Sequence, residues 1–174
     1  MSASSSALQL TLGIIKPSVT SDQRHVQEIM RAIKASGLEI VRTKRIFWQE
    51  KDAEQFYGEH KGRFYFPRLV QHATSGPFVA LALCGPDAIQ RWRNLIGPTH
   101  VYKAQWERPE TLRAKYGLSD TRNGFHGSDS PASAAKELGQ VFESWDVDWW
   151  LEQRRKEEGG PEGARARASR HGPR

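Results

Sequence analysis

A chain of 174 residues is the size of one compact domain with room for a real hydrophobic core. Hydrophobic residues make up 37% and charged residues 26%, and no apolar run is long enough to span a bilayer. Cys84 is the one cysteine, which excludes an internal disulfide and suits a reducing compartment, while the net charge of +6 raises the question of an anionic partner.

Residues 1–7 are small and polar and read as a flexible lead. They lack the basic and apolar regions of a secretory signal and the arginines of a mitochondrial presequence. The expected location is intracellular, cytoplasmic or mitochondrial. Leu8, Leu10, Leu12 and Ile14 alternate, with Ile15 available to the other face, so a strand is predicted up to Lys16-Pro17. Thr20-Ser21-Asp22-Gln23 resembles a capping box, and Val26, Ile29, Met30 and Ile33 follow at helical spacing up to Gly37. Leu38 to Trp48 reads as a second strand whose basic residues leave one face wet.

Asp52–Tyr57 and Phe66–Ala73 predict two short helices around a polar turn. Ser75-Gly76-Pro77 breaks the chain, and Phe78–Cys84, apolar on both faces, predicts a buried central strand. Asp87–Ile96 is helical, with Ile89, Trp92 and Ile96 on one stripe. Residues 97–128 read as a long irregular segment, with a short helix near Pro109–Tyr116 and room for a short strand around residue 126. Ser130-Pro131 opens a helix to about Phe142. Trp145, Trp149 and Trp150 would pack a C-terminal segment onto the domain.

This order fits an α+β fold of the ferredoxin-like kind, a βαββαβ antiparallel sheet with helices over one face, plus added helices and the long loop. The domain is placed at 8–153. Residues 154–174 carry seven Lys/Arg against three acids, so most of the excess charge lies there and the folded part is nearly neutral. Rich in Gly, Ala and Arg, this stretch reads as a disordered, solvated tail rather than a nucleic-acid arm.

His126 stands between Phe125 and Gly127-Ser128, in a polar segment just ahead of the capped helix. A small neighbour would admit a bulky anion, Ser128 offers a hydrogen bond, and Glu137 lies far enough along the helix to fold back and fix the imidazole tautomer. A neutral imidazole is nucleophilic near pH 7 without a base to deprotonate it. Arg93, Arg113 and Arg122 come from separate segments and suit phosphate oxygens, and Lys16 ends the first strand. The competing reading, solvated surface side chains, is the commoner fate of each alone. It is kept for His25, His60, His72, His100 and His171. Phe64-Tyr65-Phe66 offers a ring for stacking, although part of it must be core. Glycine-rich phosphate loops and metal-ligand spacings are absent from the sequence.

The segment Asn123-Gly124-Phe125-His126-Gly127-Ser128-Asp129 resembles the N-x-x-H-G-S-D signature of the nucleoside diphosphate kinases. Ile14-Ile15-Lys16-Pro17, Phe56-Tyr57 through Leu69-Val70, Ser75-Gly76-Pro77, Gly97-Pro98-Thr99, Thr111-Leu112-Arg113 and Ser133 to Glu137 resemble further blocks of that family, in order from Leu8 to Trp150. The resemblance implies a phosphotransferase working by a ping-pong relay, with His126 as the phosphohistidine and Ser128 and Glu137 orienting it. It implies that Lys16, Tyr57, Arg93, Thr99 and Arg113 meet phosphates or ribose and that Asn123 touches the sugar. Tyr65 would stack on the base with Leu69 beside it. Magnesium would arrive with the nucleotide, without a protein cage.

Ser18-Val19 stands where the family usually has Asp-Gly/Ala, and His100-Val101 replaces its Asn-Pro. About three extra residues separate Thr99 from Arg113. With the C-terminal extension, these departures place the chain nearest the divergent sixth-type (group II) branch. They leave oligomeric state, catalytic rate and any protein partner open. The alternative to an active kinase is a weakly active nucleotide-binding or regulatory module of the same fold that needs a partner.

Overall fold

The structure is a computed structural model and describes residues 7–159. The expectations for residues 1–6 and 160–174, including His171, lie outside the described residues. The elements in chain order are β1 (Leu8–Ile15), α1 (Pro17–Thr20), α2 (Gln23–Ala35), β2 (Glu39–Ile46), α3 (Glu50–Phe56) and α4 (Phe66–Ala73). They continue with β3 (Phe78–Pro86), α5 (Ala88–Ile96), α6 (Val101–Glu107), α7 (Leu112–Tyr116), β4 (Phe125–Gly127), α8 (Pro131–Val141) and α9 (Val147–Gly159). A 3₁₀ turn, Gly58–His60, follows α3.

The four strands form one antiparallel sheet in the order β2-β3-β1-β4, the ferredoxin-like arrangement expected. Period-two alternation sorts the side chains between two cores. Ile15, Val79, Leu81 and Leu83 meet Val26, Ile29 and Ile33 of α2 and Ala88, Trp92 and Ile96 of α5 on one face. Leu10, Leu12, Ile14, Phe78, Ala80 and Ala82 meet Leu138, Val141, Phe142 and Trp145 on the other. The two ferredoxin-type helices thus cover one face, and the added helices α8 and α9 close the second. A third cluster, Ala53, Tyr57, Val70 and Ala73, holds α3 against α4.

The local readings differ from the structure in four places. Asp22, not Thr20, caps α2 by accepting from the Arg24 N–H at 2.9 Å, while the Thr20 hydroxyl donates to the Pro77 carbonyl at 2.6 Å. The irregular segment 97–128 contains α6. Of its seven residues only Val101 and Ala104 are buried, and Tyr102 and Trp106 are exposed, so no apolar stripe advertises it. Residues 154–159, expected to be disordered, belong to α9. There Arg154 pairs with Glu39 at 2.5 Å and Arg155 donates to the Leu8 carbonyl at 3.1 Å, so both basic groups engage the domain itself. Trp145 and Trp150 pack as anticipated, but Trp149 is exposed. Among the described residues no helix is long and apolar enough to cross a membrane.

Leu138 is fully buried where α8 meets β1 and β3. Leu138→Ala is therefore expected to cost about 2–5 kcal/mol of folding stability, read as a lowered urea midpoint. An unchanged midpoint would mean that α8 does not close the second face.

Candidate functional site

β4 pairs with β1 so that Phe125 lies opposite Ile15 and His126 opposite Ile14. Paired residues share a face, so Phe125 enters the α2–α5 core and His126 emerges on the α8 side. There His126 Nε2 meets Glu137 Oε2 at 2.9 Å. The Ser128 hydroxyl donates to the same oxygen at 2.7 Å and accepts from the Leu12 N–H at 3.2 Å. A carboxylate accepts from both neighbours, so this chain assigns the proton to Nε2 and leaves Nδ1 with its lone pair free. No partner of Nδ1 is found among the described residues.

Two aromatic residues to which the sequence gave no role at the histidine fix the imidazole further. The Trp92 indole N–H donates to the His126 carbonyl at 2.9 Å, and Phe56 meets the His126 ring edge-on at 5.1 Å between centroids. Trp92 also gives Gly127 its reason. A Cβ there would lie 2.7 Å from the indole, so the glycine admits Trp92 from below whatever it admits from the cleft.

His126 opens onto a cleft of about 1330 Å³ between the α3–α4 hairpin and the segment from α5 to β4. Ten of the eleven residues to which the family resemblance gives a role line it: Lys16, Tyr57, Tyr65, Leu69, Arg93, Thr99, Arg113, Asn123, His126 and Glu137. Ser128 does not, being fully buried behind Glu137. Arg122, grouped with Arg93 and Arg113 in the sequence, is not among the lining residues. Phe64 lines the cleft and is exposed, while Phe66 packs into the hairpin. The Tyr65 hydroxyl lies 3.2 Å from His60 Nδ1, which ties that ring in place.

Two cations of the cleft, Lys16 and Arg113, are buried without a carboxylate partner. Lys16 is buried and its ammonium donates only to the neutral Asn123 Oδ1 at 3.3 Å. Burial foremost, then the nearby Arg113 charge, holds Lys16 down at about 7. Arg113 donates to the carbonyls of Gly97 at 2.7 Å and Phe125 at 3.2 Å, and its buried Nε has no partner. Burial, followed by the Arg93 charge, lowers it to about 10. Such a cluster costs desolvation and self-repulsion that a polyanion in the cleft would relieve. Burial foremost keeps the Tyr57 hydroxyl protonated and thus a donor.

Matches to known proteins agree with this geometry. The nucleoside diphosphate kinase family profile matches residues 9–147. The chain belongs to the nucleoside diphosphate kinase family. It is 45% identical to nucleoside diphosphate kinase 6 of Danio rerio over 83% of this chain and 82% of that protein. It is 42% identical to nucleoside diphosphate kinase 6 of Homo sapiens over 84% and 79%, which accords with the sixth-type assignment. The solved nucleoside diphosphate kinase of Aquifex aeolicus superposes with a TM-score of 0.75 at 35% identity, covering 81% of this chain and 99% of that one.

Three histidines read as solvated surface residues stand at or behind the cleft, and of these His72 is buried and His100 exposed. His60 and His100 line the cleft. His72 is buried behind it, its Nδ1 3.3 Å from the Thr121 carbonyl and its Nε2 without a partner. Burial first, and the Lys16 charge second, hold it down at about 4. The unfolded chain titrates near the ordinary 6.5 and so takes up a proton that the folded state refuses. His72 therefore supports stability fully above pH 6.5, and that support fades as pH falls to about 4. The wild type should lose ~1–3 kcal/mol of stability across that window. His72→Gln should show a flatter urea midpoint against pH, and equal slopes would remove His72 as the cause.

Proposed function

We propose that the protein transfers the terminal phosphate of a nucleoside triphosphate to a nucleoside diphosphate through a phosphohistidine at His126. The observation that carries this reading is the Ser128–Glu137–His126 chain, which commits Nε2 to the carboxylate and leaves Nδ1 free beside a cleft that also holds Lys16, Arg93 and Arg113. In the first half-reaction the Nδ1 lone pair attacks the γ-phosphorus. The bond from that phosphorus to the bridging oxygen breaks, and the diphosphate leaves with the electron pair. Glu137 stabilises the positive charge that develops on the ring. In the second half-reaction a β-phosphate oxygen of another diphosphate attacks the phosphorus, and the N–P electron pair returns to Nδ1.

Lys16, Arg93 and Arg113 would neutralise charge on the transferring group, with Tyr57 and Thr99 as hydroxyl donors. Asn123 would meet the ribose, and Tyr65 with Leu69 the base. Stacking on Tyr65 suits any base, since each presents a π-face. The described residues contain no group of three or more His, Cys, Asp or Glu side chains able to hold a metal ion. This donor set fits magnesium carried in on phosphate oxygens and water, where it would screen their charge and favour phosphoryl transfer.

Incubation with γ-labelled ATP and Mg²⁺ is expected to give an acid-labile, alkali-stable phosphoprotein that any nucleoside diphosphate discharges. His126→Ala should take no label, and equal labelling of both proteins would end the proposal. Glu137→Gln, which weakens charge stabilisation while keeping the side-chain shape, should slow labelling about tenfold or more in rapid-quench kinetics.

A further inference from the structure

Asp120 lies in the turn between α7 and β4 and lines the cleft. Its carboxylate reaches across to the start of α6 with both oxygens. Oδ2 lies 2.8 Å from His100 Nδ1, and Oδ1 accepts from the Val101 N–H at 3.1 Å. His100, the residue that should cap α6, makes no capping bond with its own side chain, so Asp120 supplies the cap from 19 residues away. On its other side the Asp120 carbonyl accepts from Asn123 Nδ2 at 2.9 Å. The same Asn123 takes the Lys16 ammonium and the Phe125 N–H on its Oδ1. One residue therefore joins the α6 wall of the cleft to its floor at Lys16 and β4.

α6 needs this support. A seven-residue helix does not persist on its own, and only Val101 and Ala104 anchor it by burial. Its Tyr102 and Gln105 face the cleft, and Tyr102 is 82% exposed. The hydrogen bond from His100, foremost, holds the Asp120 carboxyl below its ordinary range, so the charged clasp is in place at neutral pH.

We infer that Asp120 is a positioning residue for nucleotide binding: its carboxylate caps α6 from the turn whose backbone holds Asn123, and so keeps the wall and floor of the cleft at the separation a nucleotide requires. The inference rests on the cleft being the nucleotide site, but not on phosphoryl transfer by His126. It also runs against simple electrostatics, because removing an anion beside an anionic ligand would by itself tighten binding.

The test is calorimetric binding of ADP, with hydrogen exchange of the ligand-free protein alongside. Asp120→Ala is expected to weaken ADP binding about fivefold or more and to speed amide exchange in residues 101–107. Asp120→Asn keeps an acceptor for the Val101 N–H and should recover most of both. His100→Ala should weaken binding less than Asp120→Ala. The double variant should match Asp120→Ala within about twofold, because the two side chains share one contact. Unchanged or tighter ADP binding by Asp120→Ala, or unaltered exchange in α6, would overturn the inference. Failure of His126 to take label would leave these measurements standing.

Discussion

The cleft depends on three residues of backbone pairing. β4 is only Phe125–Gly127, and its register against β1 decides which way each side chain points. A slip of one residue would turn His126 into the α2–α5 core and expose Phe125. The register is secured at both ends, by the Lys16 N–H on the Gly124 carbonyl at 2.8 Å and the Ser128 N–H on the Leu12 carbonyl at 3.3 Å. Gly124, at φ +88, turns the chain into the strand. Phe125, fully buried, anchors it from below.

From that register the other relationships follow. Emerging on the α8 side, His126 meets a carboxylate already oriented by Ser128, and Ser128 is itself oriented by the backbone of β1. Trp92 sits under the same strand, filling the space that Gly13 and Gly127 leave open. Because Arg93 follows Trp92 on α5, the packing that steadies the histidine also fixes the root of a cleft-facing cation. The opposite wall answers to a separate cluster, α3 on α4. The cleft is thus a seam between two cores, consistent with ligand sites forming where packed units meet.

Charge placement gives the seam its chemistry. Lys16 and Arg113 are buried with neutral partners rather than carboxylates, while the carboxylate nearest the nucleophile is spent on His126 and Ser128. An anionic ligand would therefore find donors whose desolvation folding has already met, which is how a preorganised phosphate site differs from a basic surface. The basic residues of α9 are of another kind. Arg154 and Lys156 are paired with Glu39 and Glu152 and so cancel locally, while residues 160–174, with four arginines against one glutamate, carry +3 of the net +6.

What the sequence determined by itself was whatever is encoded locally or in an ordered motif. The strand alternation at Leu8–Ile15, the apolar run at Phe78–Cys84 and the Ser130-Pro131 helix start are all short-range patterns. The series of blocks from Lys16 to Glu137 identified the family and assembled the lining of one cleft. Tertiary structure alone decided the rest. α6 was hidden because its buried face is two residues wide, and its cap, Asp120, is distant in sequence. Trp92 read simply as core, since nothing local shows that its indole N–H would reach the His126 carbonyl. The same holds for His60, His72 and His100: burial and partners separate a histidine that shapes a site from one that does not, and both are created only when distant segments pack together.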